Sequence, residues 1–78
     1  MNALVLYVRH GCGACDRVLI YLKKNNIAIP LKNISDNPIW RDELIAIGGK
    51  SQTPCLVING VAMYESLTII DWLTKNAA

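Results

Sequence analysis

The feature that most restricts the possible folds is the order of the first three segments, which have the patterns of a strand, a helix and a strand. Residues 3–9 are apolar and rich in β-forming side chains, which predicts a buried strand. From Gly13 to about Asn25, apolar residues recur at helical spacing and charged residues take the other face. Residues 27–34 alternate enough for a second strand, and Pro30 favours an edge position. Because such units cross over in a right-handed sense, the two strands should be parallel.

The next segments predict a second helix and a hairpin. Asp36-Asn37-Pro38 supplies a capping side chain followed by a first-turn proline, which is typical of a helix start. That helix should end at Gly48-Gly49. Residues 55–58 and 61–64 are short apolar segments on either side of Asn59-Gly60, which is a strong hairpin signal. We therefore expect two adjacent antiparallel strands here.

The last segment, from Glu65 to about Lys75, predicts an amphipathic helix. This helix is expected to rest on Leu67, Ile70 and Leu73. The complete order, βαβαββα, predicts an α/β fold with a mixed four-stranded sheet and helices on both faces. With 78 residues, the chain is the size of one domain, covering residues 1–78.

Charge and hydropathy exclude several classes of function. The 8 lysines and arginines exceed the 6 acidic residues by only two and are dispersed, which speaks against a nucleic-acid-binding face. No apolar run approaches the ~20 residues that span a bilayer, so no membrane association is expected. The first residues lack the basic segment and cleavage site of a signal peptide, so we expect a cytoplasmic location.

The pair Cys12 and Cys15, separated by two residues, has three possible uses: a metal clamp, a structural disulfide or a redox pair. A structural disulfide would close a very short loop and gain little entropy. Zinc would need two further ligands, for which only His10 and Cys55 are candidates. His10 could equally be a solvated turn residue, and Cys55 falls within a predicted strand. The redox use is therefore favoured, and metal binding stays the weaker alternative.

The two cysteines are not equivalent in the predicted fold. Gly11 and Gly13 flank Cys12 where the first strand passes into the first helix. Free N–H groups and the helix dipole at that point stabilise an anion, and Arg9 and Arg17 are expected to add positive potential nearby. Cys15 lies one turn further along the helix, where its thiol should be shielded. We expect Cys12 to attack and Cys15 to resolve the resulting mixed disulfide.

Three segments, LYVRHGCGAC, SQTPCLVING and MYESLTIIDWL, occur in an order that resembles the glutaredoxins. The last segment is also similar to the N-terminal domain of glutathione S-transferases and to transferase-like glutaredoxins. The resemblance implies a thioredoxin-like (glutaredoxin) fold. It also implies a glutathione-dependent thiol-disulfide oxidoreductase that reduces protein disulfides and glutathione mixed disulfides. Glutathione and disulfide-bearing or glutathionylated proteins would be its partners, and the chain would be a monomer.

The same resemblance implies a set of residues that contact glutathione. Those residues are Tyr7, Arg9, Arg41, Thr53, Pro54, Glu65 and Ser66. The two arginines are expected to bind the glycine carboxylate. The backbone of Thr53, before a cis-proline at Pro54, is expected to pair with the cysteinyl part as an added strand does. The last two residues would face the γ-glutamyl group at a helix N-terminus.

The residues between the cysteines, Gly13 and Ala14, depart from the family's usual proline and aromatic residue. Glycine at this position resembles glutaredoxins that share an iron–sulfur cluster between two protomers and two glutathiones, with Cys12 of each chain as the ligand. Two alternatives therefore stay open: a cluster-binding dimer, and a redoxin recharged by thioredoxin reductase.

Cys55, directly after the predicted cis-proline, is either a third redox sulfur or a buried strand residue, and the second is favoured.

Overall fold

A computed structural model describes residues 2–76, which form four strands and three helices. In chain order the elements are β1 (Leu4–Val8), α1 (Gly13–Lys24), β2 (Leu31–Asn33), α2 (Pro38–Gly48), β3 (Cys55–Ile58), β4 (Val61–Tyr64) and α3 (Ser66–Asn76). The predicted βαβαββα order is confirmed, and with it the thioredoxin-like fold that the resemblance implies. Within the described residues, no helix combines the length and the apolar character that crossing a membrane requires.

The strands form one mixed sheet in the order β2-β1-β3-β4. β1 is parallel to β2, with Leu6 opposite Leu31, and antiparallel to β3. β3 and β4 form the antiparallel hairpin. The parallel βαβ unit and the hairpin therefore combine into one sheet, as the sequence predicts.

The second strand is shorter than predicted, because only residues 31–33 of the expected 27–34 are in the sheet. Pro30 has no N–H group to donate to a neighbouring strand, so the regular ladder starts after it. Its carbonyl still accepts a hydrogen bond from the Leu6 amide at 2.9 Å. β2 lies at the edge of the sheet, the position that the proline favours.

Local capping and turn signals fix the other boundaries. The Asn37 side chain caps α2 by accepting a hydrogen bond from the Ile39 amide at 3.0 Å. At the hairpin, Asn59 and Gly60 have φ angles of 50° and 84°. Two consecutive left-handed residues are what a tight β-hairpin turn requires, which explains the Asn-Gly pair.

The alternation of side chains along the strands produces two apolar clusters, one on each face of the sheet. Leu6, Val8 and Leu56 face α1 and α3 and share their cluster with Cys12 and Cys15. The residues of the opposite cluster, on the α2 side, are Tyr7, Leu44, Cys55 and Val57. Helices therefore cover both faces of the sheet, and the cysteine pair lies on the α1–α3 face.

The buried side of α3 agrees with the prediction only in part. Leu73 is buried as predicted and Ile70 packs partly buried against the same core, but Leu67 is 68% exposed. The other buried residues of the helix are Ser66 and Ile69. Apolar residues occur on several sides of this helix, so its sequence does not define one apolar stripe. Ile69 and Leu73 share a cluster with Leu6, Val8 and Leu56 of the sheet, so packing against the sheet selects the buried side.

Candidate functional site

Cys12 occupies the N-cap position of α1, the point where the chain turns from β1 into the helix. The turn is made by Gly11, whose φ of 67° lies in the region that favours glycine. Cys12 itself is extended, and its Sγ accepts a hydrogen bond from the Cys15 amide at 3.1 Å. The sulfur therefore stands where a helix N-terminus directs free N–H groups toward an anion.

The two cysteines form a disulfide, and their Cα atoms are 5.2 Å apart. Both are buried, with Cys12 5% and Cys15 1% exposed. The expected contrast between an exposed and a shielded sulfur is therefore small in this oxidised state. The loop at Thr53 and Pro54, which is itself buried, covers the Cys12 side.

The Thr53–Pro54 peptide bond is cis, as the resemblance implies. The loop that contains it brings Thr53 against the sulfur of Cys12. The Thr53 carbonyl oxygen is 3.9 Å and its Oγ1 3.8 Å from Cys12 Sγ. Backbone and side chain of one residue thus reach the same sulfur atom.

Arg9 contacts this loop, and Arg17 contacts the start of α3. The Arg9 guanidinium donates to Thr53 Oγ1 at 3.3 Å. Arg17, on α1, donates to the buried hydroxyl of Ser66 at 3.2 Å and so ties α1 to the start of α3. This second contact could not be predicted from local sequence patterns, because the two residues are 49 positions apart.

The start of α3 lies beside the cis-proline loop. Gln52 donates to the Glu65 carboxylate at 3.2 Å. Glu65 has a φ of 74°, so the chain turns sharply into the helix at this residue. Of the predicted contact residues, Thr53 contacts Cys12 and Arg9 contacts Thr53, whereas Glu65 and Ser66 lie at the start of α3 and contact Gln52 and Arg17. Gln52 was not among the predicted site residues.

Tyr7 and Arg41 occupy different positions. Tyr7 points to the α2 face, opposite the cysteine pair, and its hydroxyl donates to Glu43 at 3.0 Å. Burial raises the pKa of Tyr7. Lys32 donates to the same Glu43 oxygen at 2.6 Å and lowers the pKa of that carboxyl. Arg41 is exposed on α2. The predicted contacts of Tyr7 and Arg41 with glutathione stay predictions.

Cys55 is fully buried on the α2 face, whereas its neighbour Leu56 faces α1 and α3. Burial raises the pKa of the Cys55 thiol, which keeps it protonated. The sheet therefore separates this thiol from the Cys12–Cys15 pair. This placement fits the interpretation of Cys55 as a buried strand residue.

The four candidate zinc ligands are not gathered at one point. Cys55 is across the sheet, and His10 lies at the surface 3.1 Å from Asp36. Among residues 2–76, no three histidines, cysteines or acidic residues are grouped so that they could hold a metal ion. The geometry around Cys12 suits thiol chemistry.

Comparison with known proteins connects this geometry to a family. A model of the family described as Glutaredoxin matches residues 4–63. Among solved structures, glutathione transferase Omega 3C from Trametes versicolor is 30% identical with a TM-score of 0.79, over 94% of this chain and 33% of that protein. Glutaredoxin C1 from Populus tremula x tremuloides is 21% identical with a TM-score of 0.68, over 95% of this chain and 76% of that one. Oxidized glutaredoxin 2 from Chlamydomonas reinhardtii is 17% identical with a TM-score of 0.68, over 95% and 73%. The comparison with curated proteins gives no match.

Proposed function

Because the chain belongs to the glutaredoxin family, we propose that it is a dithiol glutaredoxin, which uses glutathione to reduce protein disulfides and glutathione mixed disulfides. The family implies thiol-disulfide oxidoreductase activity in general. The observation that carries the finer proposal is the Cys12–Cys15 disulfide at the start of α1, in contact with the cis Thr53–Pro54 loop. A pair that closes and opens at a helix N-terminus is suited to disulfide exchange.

In the proposed reaction with a glutathionylated protein, the Cys12 thiolate attacks the glutathione sulfur. The mixed disulfide bond breaks, the protein leaves as a thiolate that takes a proton from solvent, and a bond forms between Cys12 and glutathione. A second glutathione, as its thiolate, then attacks the bound glutathione sulfur. Glutathione disulfide leaves, and the electron pair of the broken bond returns Cys12 to its thiolate.

With a protein disulfide, the Cys12 thiolate attacks one substrate sulfur and forms a mixed disulfide with it. The substrate S–S bond breaks, and the other substrate sulfur leaves as a thiolate that takes a proton from solvent. Cys15 then attacks Cys12, which releases the reduced substrate and leaves the Cys12–Cys15 disulfide that the structure contains. The hydrogen bond from the Cys15 amide to Cys12 Sγ holds the two residues at the short range that this step needs. Two glutathiones reduce the pair again and leave as one glutathione disulfide.

The proposed glutathione site extends from Arg9 past the cis-proline to α3. Arg9 would bind the glycine carboxylate, with Arg41 as a second cation, through charge-assisted hydrogen bonds. The extended backbone at Thr53 would pair with the cysteinyl part. The N-terminus of α3 at Ser66, beside Glu65, would receive the γ-glutamyl carboxylate. The likeness to a protein named glutathione transferase supports glutathione as the ligand.

The test is turnover of a glutathionylated peptide with glutathione, glutathione reductase and NADPH, followed by NADPH oxidation. We expect turnover that depends on both the protein and glutathione. A parallel assay replaces glutathione and its reductase with thioredoxin reductase. Turnover only in the second assay would contradict the proposal and favour the redoxin alternative.

The iron–sulfur alternative is a second candidate: an added Cβ at Gly13 would meet nothing within 4 Å, so position 13 itself is open to a second copy. Cys12 is only 5% exposed, so its sulfur would have to become accessible before it could bind a cluster. Anaerobic reconstitution with iron, sulfide and glutathione tests this alternative. A coloured dimer that Gly13→Pro weakens would support it, and a colourless monomer would contradict it.

A further inference from the structure

The side chains of Arg9, Thr53 and Cys12 form a continuous chain of polar contacts. Arg9 Nη1 lies 3.3 Å from Thr53 Oγ1, and Thr53 Oγ1 lies 3.8 Å from Cys12 Sγ. Thr53 is only 7% and Cys12 5% exposed, so little water competes for the contact between hydroxyl and sulfur. The contact between Arg9 and the hydroxyl is at the partly buried edge.

The direction of these contacts follows from the chemistry of the groups. A guanidinium can only donate hydrogen bonds, so Thr53 Oγ1 must accept the bond from Arg9. The hydroxyl has one proton of its own, and that proton is left free to point at the sulfur. A disulfide sulfur is a weak acceptor, whereas a thiolate takes a charge-assisted bond. The Thr53–Cys12 contact should therefore strengthen when the disulfide is reduced.

We propose that the Thr53 hydroxyl is a positioning group that donates a hydrogen bond to the Cys12 thiolate, and that Arg9 acts on this thiolate through Thr53. The proposal rests on the proposed function, in which Cys12 attacks as a thiolate. It assigns the side chain of Thr53 a task separate from that of its backbone at the glutathione site. With the Cys15 amide, 3.1 Å from Sγ, the thiolate then has two donors.

The proposal is tested on the Cys15→Ser protein in its reduced form, in which Cys12 and the buried Cys55 are the only thiols. Iodoacetamide alkylation of Cys12, followed by peptide mass spectrometry across a pH series, gives the midpoint of thiolate formation. Thr53→Val removes the hydroxyl and keeps the side-chain shape, whereas Thr53→Ser keeps the hydroxyl. We expect Thr53→Val to raise the midpoint by about one pH unit, a roughly tenfold change in the ionisation equilibrium. Thr53→Ser should stay close to the parent.

An unchanged midpoint in Thr53→Val would overturn the proposal. So would an equal rise in Thr53→Ser, because the hydroxyl would then be irrelevant. Thr53→Ala serves as a second hydroxyl-free variant if Thr53→Val does not fold, which thermal unfolding by circular dichroism shows.

The part of Arg9 is tested by a double-mutant cycle. If Arg9 acts through Thr53, Arg9→Ala should shift the midpoint less in the Thr53→Val protein than in the parent. Equal shifts in both backgrounds would overturn the relay. Alkylation needs no glutathione, so this result is independent of the turnover assay. If the protein shows these midpoint shifts but no turnover, the proposed hydrogen bond to Cys12 is supported and the proposed function is contradicted.

Discussion

The hydroxyl of Tyr64 lies directly against Gly48, where the last residue of α2 meets β4. A Cβ at Gly48 would overlap Tyr64 Oη, lie 3.0 Å from Tyr64 Cζ and approach the Ala62 side chain to 3.3 Å. Tyr64 Oη is itself buried, and it has no hydrogen-bond partner among the described residues. The close approach of α2 to β4 therefore depends on the absence of a side chain at position 48.

The first prediction is that Gly48→Ala destabilises the protein, because an added carbon forces the tyrosine or the helix end to move. Overpacking of this kind costs ~1–3 kcal/mol. For a domain of this size, each kcal/mol lowers the melting temperature by about 4–8 °C. Gly13→Ala is the matched control, since a Cβ there meets nothing within 4 Å. Thermal and urea unfolding measure both variants.

The role of the hydroxyl can be separated from that of the ring. Tyr64→Phe removes a buried polar group without a partner, so its own cost should be small or negative. It also removes the atom that a Cβ at Gly48 would overlap. Gly48→Ala should therefore cost less in the Tyr64→Phe protein than in the wild type. Equal costs in both backgrounds would show that another contact limits position 48.

Most of the fold could be predicted, because its boundaries depend on local signals. Asn37 caps a helix and Asn59-Gly60 forms a hairpin turn through their own backbone and side-chain preferences. On α3, the burial of Leu73 could be predicted, but the burial of Ile69 in place of Leu67 could not, since these two residues are equally apolar in the sequence. Only packing against the sheet distinguishes them.

The candidate site, like the fold, could be predicted only where local sequence patterns determine it. The spacing of Cys12 and Cys15 and their place before a helix identify the reactive pair from sequence alone. The contact between Arg9 and Thr53 joins residues that are 44 positions apart and results from the sheet topology. The burial of Cys12 beneath the Thr53–Pro54 loop has the same origin.

The second prediction concerns the pH dependence of stability at Glu43. The hydrogen bond from Lys32, with a further one from Tyr7, lowers the pKa of Glu43 below its usual value of 4.5. The ionised carboxylate therefore stabilises the fold above that value, and this contribution is lost as the pH falls through the lowered pKa. The Glu43→Gln protein should have a lower free energy of unfolding than wild type at pH 7. This difference should disappear as the pH falls below about 4.5.

Urea unfolding from pH 3 to pH 7 measures this difference. Asp71→Asn is a suitable control, because it breaks an exposed pair between Asp71 and Lys75 within α3. Exposed pairs contribute little, so its effect should be small at every pH. A Glu43→Gln difference that persists at pH 3 would contradict the electrostatic explanation.

The third prediction is that Cys55 does not react in the folded protein. It is fully buried, so reagents cannot reach its sulfur, and burial raises the pKa of its thiol, so the reactive thiolate does not form. After reduction at pH 7, iodoacetamide should label Cys12 well before Cys55. Cys55 should become reactive only in denaturant. Rapid labelling of Cys55 in the native state would restore it as a candidate third redox sulfur.

The fourth prediction concerns glutathione recognition. Arg9→Ala and Arg41→Ala should each weaken the use of glutathionylated substrates, because each removes a cation proposed to bind the glycine carboxylate. Exposed ion pairs contribute ~0–1 kcal/mol, so each loss in kcat/KM should be at most several-fold. Lys75→Ala removes an equal charge near the C-terminal end of α3 and should have no effect. If the double variant Arg9→Ala/Arg41→Ala keeps wild-type kinetics, the glycine carboxylate of glutathione binds at another position.

The last prediction separates the two cysteines of the active pair. Cys12→Ser should abolish turnover of a glutathionylated peptide, because Cys12 is proposed to be the attacking sulfur. Its Sγ, at the α1 N-cap, accepts a hydrogen bond from the Cys15 amide and contacts Thr53. Cys15→Ser should keep this turnover, since glutathione itself resolves the mixed disulfide, but lose reduction of protein disulfides. Coupled NADPH oxidation measures both reactions, and mass spectrometry of the Cys15→Ser protein should find glutathione on Cys12. Turnover by Cys12→Ser, or its loss in Cys15→Ser, would reverse the assignment of attacking and resolving sulfurs.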